Sequence, residues 1–489
     1  MREKRVKVMC AKSSAEMRKA MKRCNGVILA RFTLLLFVLW MCCMVLSGCA
    51  DRDEEENKAP NRIILTAAVL REEKNFVNMV EAFNQNDQEY YIEIKVYEAE
   101  EWDGSDALQR MAMEMSAGGG PDIIWLDDRS NAALAAGKLL EDLYPYMNDD
   151  QDFSKADYYE NVWDAFSLEG NLYTLPTSFV IDTFAGNGNM MEDYVTEYQM
   201  DGASVSVWNI ADLTRCYRDF SQNSTDRVWL FPGDNKLSVF AELCYSGMDQ
   251  FVDWGSGECR FHEKAFIELL EFAGSFPDTI DIDDSASLRD LYKSGRALLY
   301  PIRILNVWSV AQAEAVFAGE NVIFPGHPVG ENKLDETGAV AYPADGLLTM
   351  NRNSLHKDGV WQFMKYCLSE QIQQQATGIP MLRAVSEERL TNALTPEYVL
   401  VDGVEVPKVR SFVRFEGEQP VELTVVTAEN AAVFRSLVES IHRSRTVEEA
   451  MYSIVLEEAE MFFAGDRTAE KTADVIQSRV SLYVSERMR

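Results

Sequence analysis

The stretch from Gly118 to Asp128, Gly-Gly-Gly-Pro-Asp-Ile-Ile-Trp-Leu-Asp-Asp, constrains this chain more than any other. Three glycines and Pro121 break whatever precedes them, and Ile123 to Leu126 is then apolar without alternation. A short uninterrupted run of this kind suits a parallel strand buried on both faces. It ends at Asp127 and Asp128, and open parallel sheets hold ligands beyond the carboxyl ends of their strands. Helical spacing returns at Leu134, Ala135, Lys138 and Leu139, before a turn closing on Pro145. Upstream, Arg62 to Leu70 reads as a strand, Phe76, Val80 and Phe83 as a helix face, and Ile92, Ile94 and Val96 as an alternating strand. Strand, helix, strand begins a doubly wound α/β sheet. Leu108, Met111, Ala112 and Met115 give the next helix a face of core packing.

At 489 residues the chain exceeds what one core organises, so two lobes are expected. A net charge of −32 excludes nucleic acid as a partner and docking on anionic lipid by charge. Residues 1–48 differ from the rest, with ten Lys and Arg against two acids. Within them the basic start is followed by a fifteen-residue apolar run from Phe32 to Leu46. It is shorter than the ~20 residues of a spanning helix and has the size of a signal-peptide core. Leu46-Ser47-Gly48-Cys49 then matches the bacterial lipoprotein cleavage box, in which the Cys carries an acyl (palmitate-type) anchor. Residues 1–48 therefore read as a signal peptide, with Met21 as a second possible start, and 49–60 as a charged tether. The expected address is the outer face of the cytoplasmic membrane, held by lipid on Cys49. Four cysteines remain in the body, Cys216, Cys244, Cys259 and Cys367. No close Cys-x-x-Cys pair marks a zinc site. A Cys244–Cys259 bridge is compatible with an oxidising compartment, and free buried thiols are the state expected.

Further motifs recur in order. Gly118-Gly-Gly-Pro-Asp-Ile-Ile is followed by Gly137-Lys-Leu-Leu-Glu-Asp-Leu143, then by Gly170-Asn-Leu-Tyr-Thr-Leu-Pro176. Trp208 leads a helix start, and Val228 to Gly233 looks like a buried strand and loop. Leu291-Tyr-Lys-Ser-Gly-Arg-Ala-Leu-Leu-Tyr300 comes before Trp308. Near the end stand Val360-Trp-Gln-Phe, Ser369-Glu-Gln-Ile-Gln373, Gly378-Ile-Pro380 and the helix after Thr468, a plausible N-cap. This series resembles the extracellular solute-binding proteins of family 1, the maltose/maltodextrin-binding type. The chain departs from them at Gly186-Asn187, where many carry Tyr-Asn-Lys. The resemblance implies a two-lobed periplasmic-binding-protein-like fold (type II, doubly wound mixed sheets) with a hinge and an interlobe ligand cleft. It implies lobe 1 at 61–176 and 351–395, lobe 2 at 187–337 and 396–489, and crossings at 177–186 and 338–350. Its partners would be a sugar or oligosaccharide and the permease subunits of an ABC importer, with the binding protein itself a monomer.

Sugar capture needs aromatic faces and planar hydrogen-bonding groups in a rigid cleft. Trp102, Trp208, Trp254 and Trp308 are the stacking candidates. Asp103, Asp127, Asp128, Asp182, Arg303 and Asp345 are the polar ones. The resemblance favours Trp308 and the Asp127 strand end, whereas Trp125 and Trp361 read as core. No catalytic residue, metal or cofactor is expected. Gly-x-Ser-x-Gly, phosphate-loop and His-Glu-x-x-His motifs are missing, and only four His are scattered along the chain. Asp281 to Asp284 fails as a calcium loop, because Ala286 and Tyr292 stand where Gly and Glu belong. The alternatives are a sensor or adhesion lipoprotein on the same fold, and a surface carbohydrate-active enzyme built on a carboxylate pair.

Overall fold

Ile123 to Leu126 is fully buried, as an apolar run without alternation requires. The computed structural model describes residues 62–488 apart from 72, 99–104, 127–131, 201–202, 246, 280–286, 320, 329–338, 416 and 446–447. Cys49, Trp102, Asp103, Asp127 and Asp128 lie outside the described residues. From Ile64 to Arg489 the chain forms one contact unit.

The main strands of the two large sheets, in chain order, are β1 Ile63–Val69, β2 Tyr90–Val96, β3 Ile123–Leu126, β4 Leu175–Pro176, β5 Ser178–Asn187, β6 Leu299–Ile304, β7 Val340–Pro343 and β8 Leu347–Met350. One sheet has the order β2-β1-β3-β8-β4. Its β1 and β3 are parallel, with Ala67 opposite Ile123, while β8 runs antiparallel on β3 with Leu347 opposite Leu126. Helices cover it. Lys74–Asn86 (α1) buries Phe76, Met79, Val80 and Phe83, and Phe76 stacks on Trp125 at 4.8 Å. Phe363 meets Phe76 and Phe83 edge-on from the helix Lys357–Cys367, which also buries Trp361. Gly346 lets β8 come this close. Its φ is +134°, and a Cβ there would lie 2.5 Å from the Trp125 ring.

The second sheet is built on β5, whose ten residues are all buried. β6 and β7 flank it antiparallel, and Arg443–Ser444 adds to β7 in parallel. The cores follow this strand. Phe179 and Ile181 pack in the first hydrophobic cluster, with β1, β3 and α1. Phe184 packs in a second, with Trp208, Phe240, Phe266 and Ile476. Phe434, Leu437 and Val438 belong to the first cluster, and Met451 and Val455 to the second. The chain therefore passes from the first cluster to the second between Ile441 and Met451. The apolar face of Ala428–Glu439 finds its partners on the first core.

Two local readings meet a finer outcome. Thr468 caps the last helix, Ala469–Arg487, by accepting from the Lys471 amide. Val228 to Phe231 is buried and runs beside residues 296–299, with a parallel Trp229–Ala297 bridge and backbone bonds from the Trp229 amide to Arg296, the Leu298 amide to Trp229 and the Leu299 amide to Leu230. The Leu230 amide donates at 2.6 Å to the buried Asp234 carboxylate, which takes the place of a strand partner. All four body cysteines are free and buried.

Candidate functional site

Asp182 and Arg303, 121 positions apart in sequence, stand directly opposite each other in the β5–β6 register. Period-two alternation puts Val180 and Asp182 on one face of β5, and β7 places Tyr342 opposite Val180 on that face. A fourth segment arrives from Arg443–Ser444, where the Arg445 amide donates to the Ala341 carbonyl at 2.7 Å. Its guanidinium then forms a buried ion pair with Asp182. The same guanidinium lies 4.1 Å from the Tyr245 ring centre and 4.5 Å from that of Tyr342. Arg303 sits over the other side of this cluster, 4.9 Å from the Tyr342 ring and 4.0 Å from an Asp182 oxygen.

A cavity of about 570 Å³ opens here, lined by Asp182, Ser238, Glu242, Tyr245, Arg303, Arg445 and Tyr452 among others. The helix Lys236–Tyr245 (α2) supplies Ser238, Glu242 and Tyr245 at helical spacing. Tyr452 closes against it, donating to the Ala241 carbonyl at 3.1 Å and meeting Tyr245 edge-on at 4.8 Å. Neither the Glu242 carboxylate nor the Arg303 guanidinium makes a hydrogen bond among the described residues. Burial pushes the Glu242 carboxyl above its ordinary value, and Asp182 adds to this while Arg445 and Arg303 oppose it. The cavity thus presents one acceptor and one donor of opposite charge, framed by tyrosine rings. Arg445 is already committed to Asp182.

The remaining candidates fall elsewhere. Trp208 is 1% exposed and donates its indole N–H to the Gly326 carbonyl at 2.9 Å. Trp254 is buried in the second core. Both ring faces expected to meet sugar are therefore covered by packing. Asp345 accepts from Asn75, Ser178 and both the amide and hydroxyl of Thr377, so it ties three segments together. Trp308 is half-buried at the start of the helix Val307–Val316 (α3), with Asn306 as its cap. It lines a separate cavity of about 280 Å³ with Gly378, Ile379 and Arg389. The Arg410 guanidinium lies 5.2 Å from its ring. Of the described candidates, only Asp182 and Arg303 come together.

Sequence reasoning missed Glu242, Tyr245, Tyr342, Arg445 and Tyr452. Tyr342 had a signal, since alternation along Val340–Pro343 puts it on the face of Val340, opposite Asp182. The other four come from segments whose positions depend on packing alone. Among the described residues no group of three or more His, Cys, Asp or Glu is placed to hold a metal ion.

Rings beside fixed planar charges suit non-covalent capture of a polar solute, and the fold and cavity together define a binding protein. The chain belongs to the bacterial extracellular solute-binding protein family, whose model matches residues 67–374. Its place is accordingly outside the cytoplasm. Two solved structures share its two-lobed fold. The sugar-binding protein MalE of the phytopathogen Xanthomonas citri is similar at 16% identity and a TM-score of 0.52, over 87% of this chain and 98% of that one. A family 1 solute-binding protein of Alicyclobacillus acidocaldarius is similar at 12% identity and a TM-score of 0.50, over 87% and 100%. A comparison with curated protein sequences returned no match.

Proposed function

We propose that this chain captures a sugar or oligosaccharide outside the cell and delivers it to the permease of an ABC importer. The observation that carries the reading is the Asp182 cavity, where Glu242 and Arg303 face the same space without hydrogen-bond partners among the described residues. Hydroxyl groups both donate and accept, so one pyranose ring can satisfy both side chains at once. Family membership supports solute capture, and the sugar-binding protein of X. citri shares the fold. Closure would rotate the two lobes about β5 and β7, driven by a ligand that contacts both lobes better when shut. In this proposal export and anchoring follow the leader, with lipid on Cys49 and residues 49–60 as tether. Asp103, Asp127 and Asp128 stay in this proposal as candidate ligand contacts of the first lobe.

A thermal-shift panel of mono-, di- and oligosaccharides tests the proposal, because a ligand that binds only the folded state raises the melting temperature. One sugar class should give a clear shift, lost in Glu242→Ala and in Arg303→Ala. No shift across the panel would remove the sugar assignment. A shift that survives both substitutions would move the site away from this cavity.

A further inference from the structure

We propose that the solute selected by the Asp182 cavity carries an amino group, an amino sugar rather than a neutral one, and that Glu242 is the counter-ion of its ammonium. The inference rests on the sugar reading above and names a class within it. Four charged residues line the cavity, Asp182, Glu242, Arg303 and Arg445. Their charges cancel in sum, but the partners are unevenly shared. Arg445 is held by Asp182 and lies against two rings, 4.1 Å from the centre of Tyr245 and 4.5 Å from that of Tyr342. It cannot swing to a second carboxylate without giving up all three contacts. Arg303 stands 4.0 Å from Asp182 and 4.9 Å from the Tyr342 ring, and its side chain is 51% exposed. Asp182 and water together satisfy it. Glu242 is left as the one charge of the four with neither a hydrogen bond nor an ion pair among the described residues.

The surroundings of Glu242 ask for a cation. Two hydroxyls that line the same cavity are turned to backbone, Ser238 donating to the Asn235 carbonyl at 3.2 Å and Tyr452 to the Ala241 carbonyl at 3.1 Å. Tyr452 thus brings a ring rather than a donor, and a ring beside a carboxylate suits a positive group. Burial and the Asp182 charge both disfavour a bare anion at this position. A ligand hydroxyl would give Glu242 a hydrogen bond, whereas an ammonium would give one and cancel the charge as well. A ligand carboxylate would meet Arg303 only where solvent screens it, and Glu242 and Asp182 would repel it. The net charge of −32 acts in the same sense at longer range, drawing cations toward the surface.

Isothermal titration of the mature protein with matched sugars tests this. Glucosamine, galactosamine and chitobiose are set against glucose, galactose and cellobiose, with N-acetylglucosamine and glucuronate as further probes. The amino sugars should bind roughly tenfold tighter than their hydroxyl counterparts, the difference between a charge-assisted and a neutral hydrogen bond. Added salt should shrink that preference. In Glu242→Gln, which keeps the length of the side chain and one acceptor, the preference should disappear. A preference that survives Glu242→Gln would come from the acidity of the whole surface, and overturns the proposal. Equal or tighter binding of the neutral sugars or of glucuronate also overturns it, and leaves the sugar reading in place. So does binding of any neutral sugar with no amino sugar bound. Heat from none of the sugars would remove the sugar reading and this inference with it. The wild-type comparison decides by itself, so the proposal can fail even if the variant does not fold.

Discussion

Asp182→Ala should be among the most damaging single substitutions in this protein. The Asp182 and Arg445 side chains are 10% and 8% exposed, so their ion pair is shielded from water. Removing one member of a buried pair leaves the other charge uncompensated, at about 3–5 kcal/mol. The lower end applies, because Glu242 also attracts Arg445. The 426 residues from Ile64 to Arg489 would unfold with an entropy near 0.9 kcal/mol per kelvin if they melt together. A loss of about 3 kcal/mol then lowers the melting temperature by about 3–4 °C. Arg445→Met should cost less, since Arg303 already stands 4.0 Å from Asp182 and can take over the carboxylate. Asp182→Ala with Arg445→Met removes both charges and should recover much of the Asp182→Ala loss. Calorimetric melting of the three variants reads all of this. A shift under about 1 °C for Asp182→Ala, or a double variant as low as the two losses added, would refute a buried, coupled pair.

The buried Asp234 carboxyl is pushed up to about 6 by desolvation, against the opposing help of the Leu230 amide and Arg227. A carboxyl raised in the folded state binds more protons there than in the unfolded chain between about pH 4 and 6, so its charge lowers stability as pH rises through that window. Asp234→Asn should therefore gain relative to the wild type from pH 4 to pH 7 in paired melting curves, and a constant difference would refute this. Glu242 is raised in the same direction, so if its carboxylate accepts from ligand, affinity should fall on acidification in the wild type. Glu242→Gln should flatten that dependence in a titration series, and an unchanged slope would remove Glu242 from binding. Gly346→Ala puts a methyl 2.5 Å from Trp125 at a φ of +134°. It should destabilise by about 3 kcal/mol through overpacking and backbone strain, and full retention of the melting temperature would show that β8 can retreat from β3.

The first sheet was legible because its signals are local. Ile123 to Leu126 shows its burial without reference to any other segment, and so does the Phe76, Val80 and Phe83 stripe. The site was legible only where a strand carries it. Asp182 and Arg303 could be singled out because each interrupts an apolar strand with a charge that must be met. Trp208 and Trp254 went to packing for a related reason. An indole serves a core as readily as a ligand, and nothing next to Trp208 in sequence reveals that the Gly326 carbonyl will take its N–H. Arg445 is the clearest limit. It sits in a polar run without periodicity, and its role depends on Arg443–Ser444 joining β7 in parallel across about a hundred residues. That pairing lies where the chain leaves the first core for the second, between Ile441 and Met451, so the contact that completes the cavity falls at that passage. On the proposed reading, a ligand drawing on Arg303 and Glu242 would act on side chains that share one cavity with Asp182 and Arg445, beside that passage.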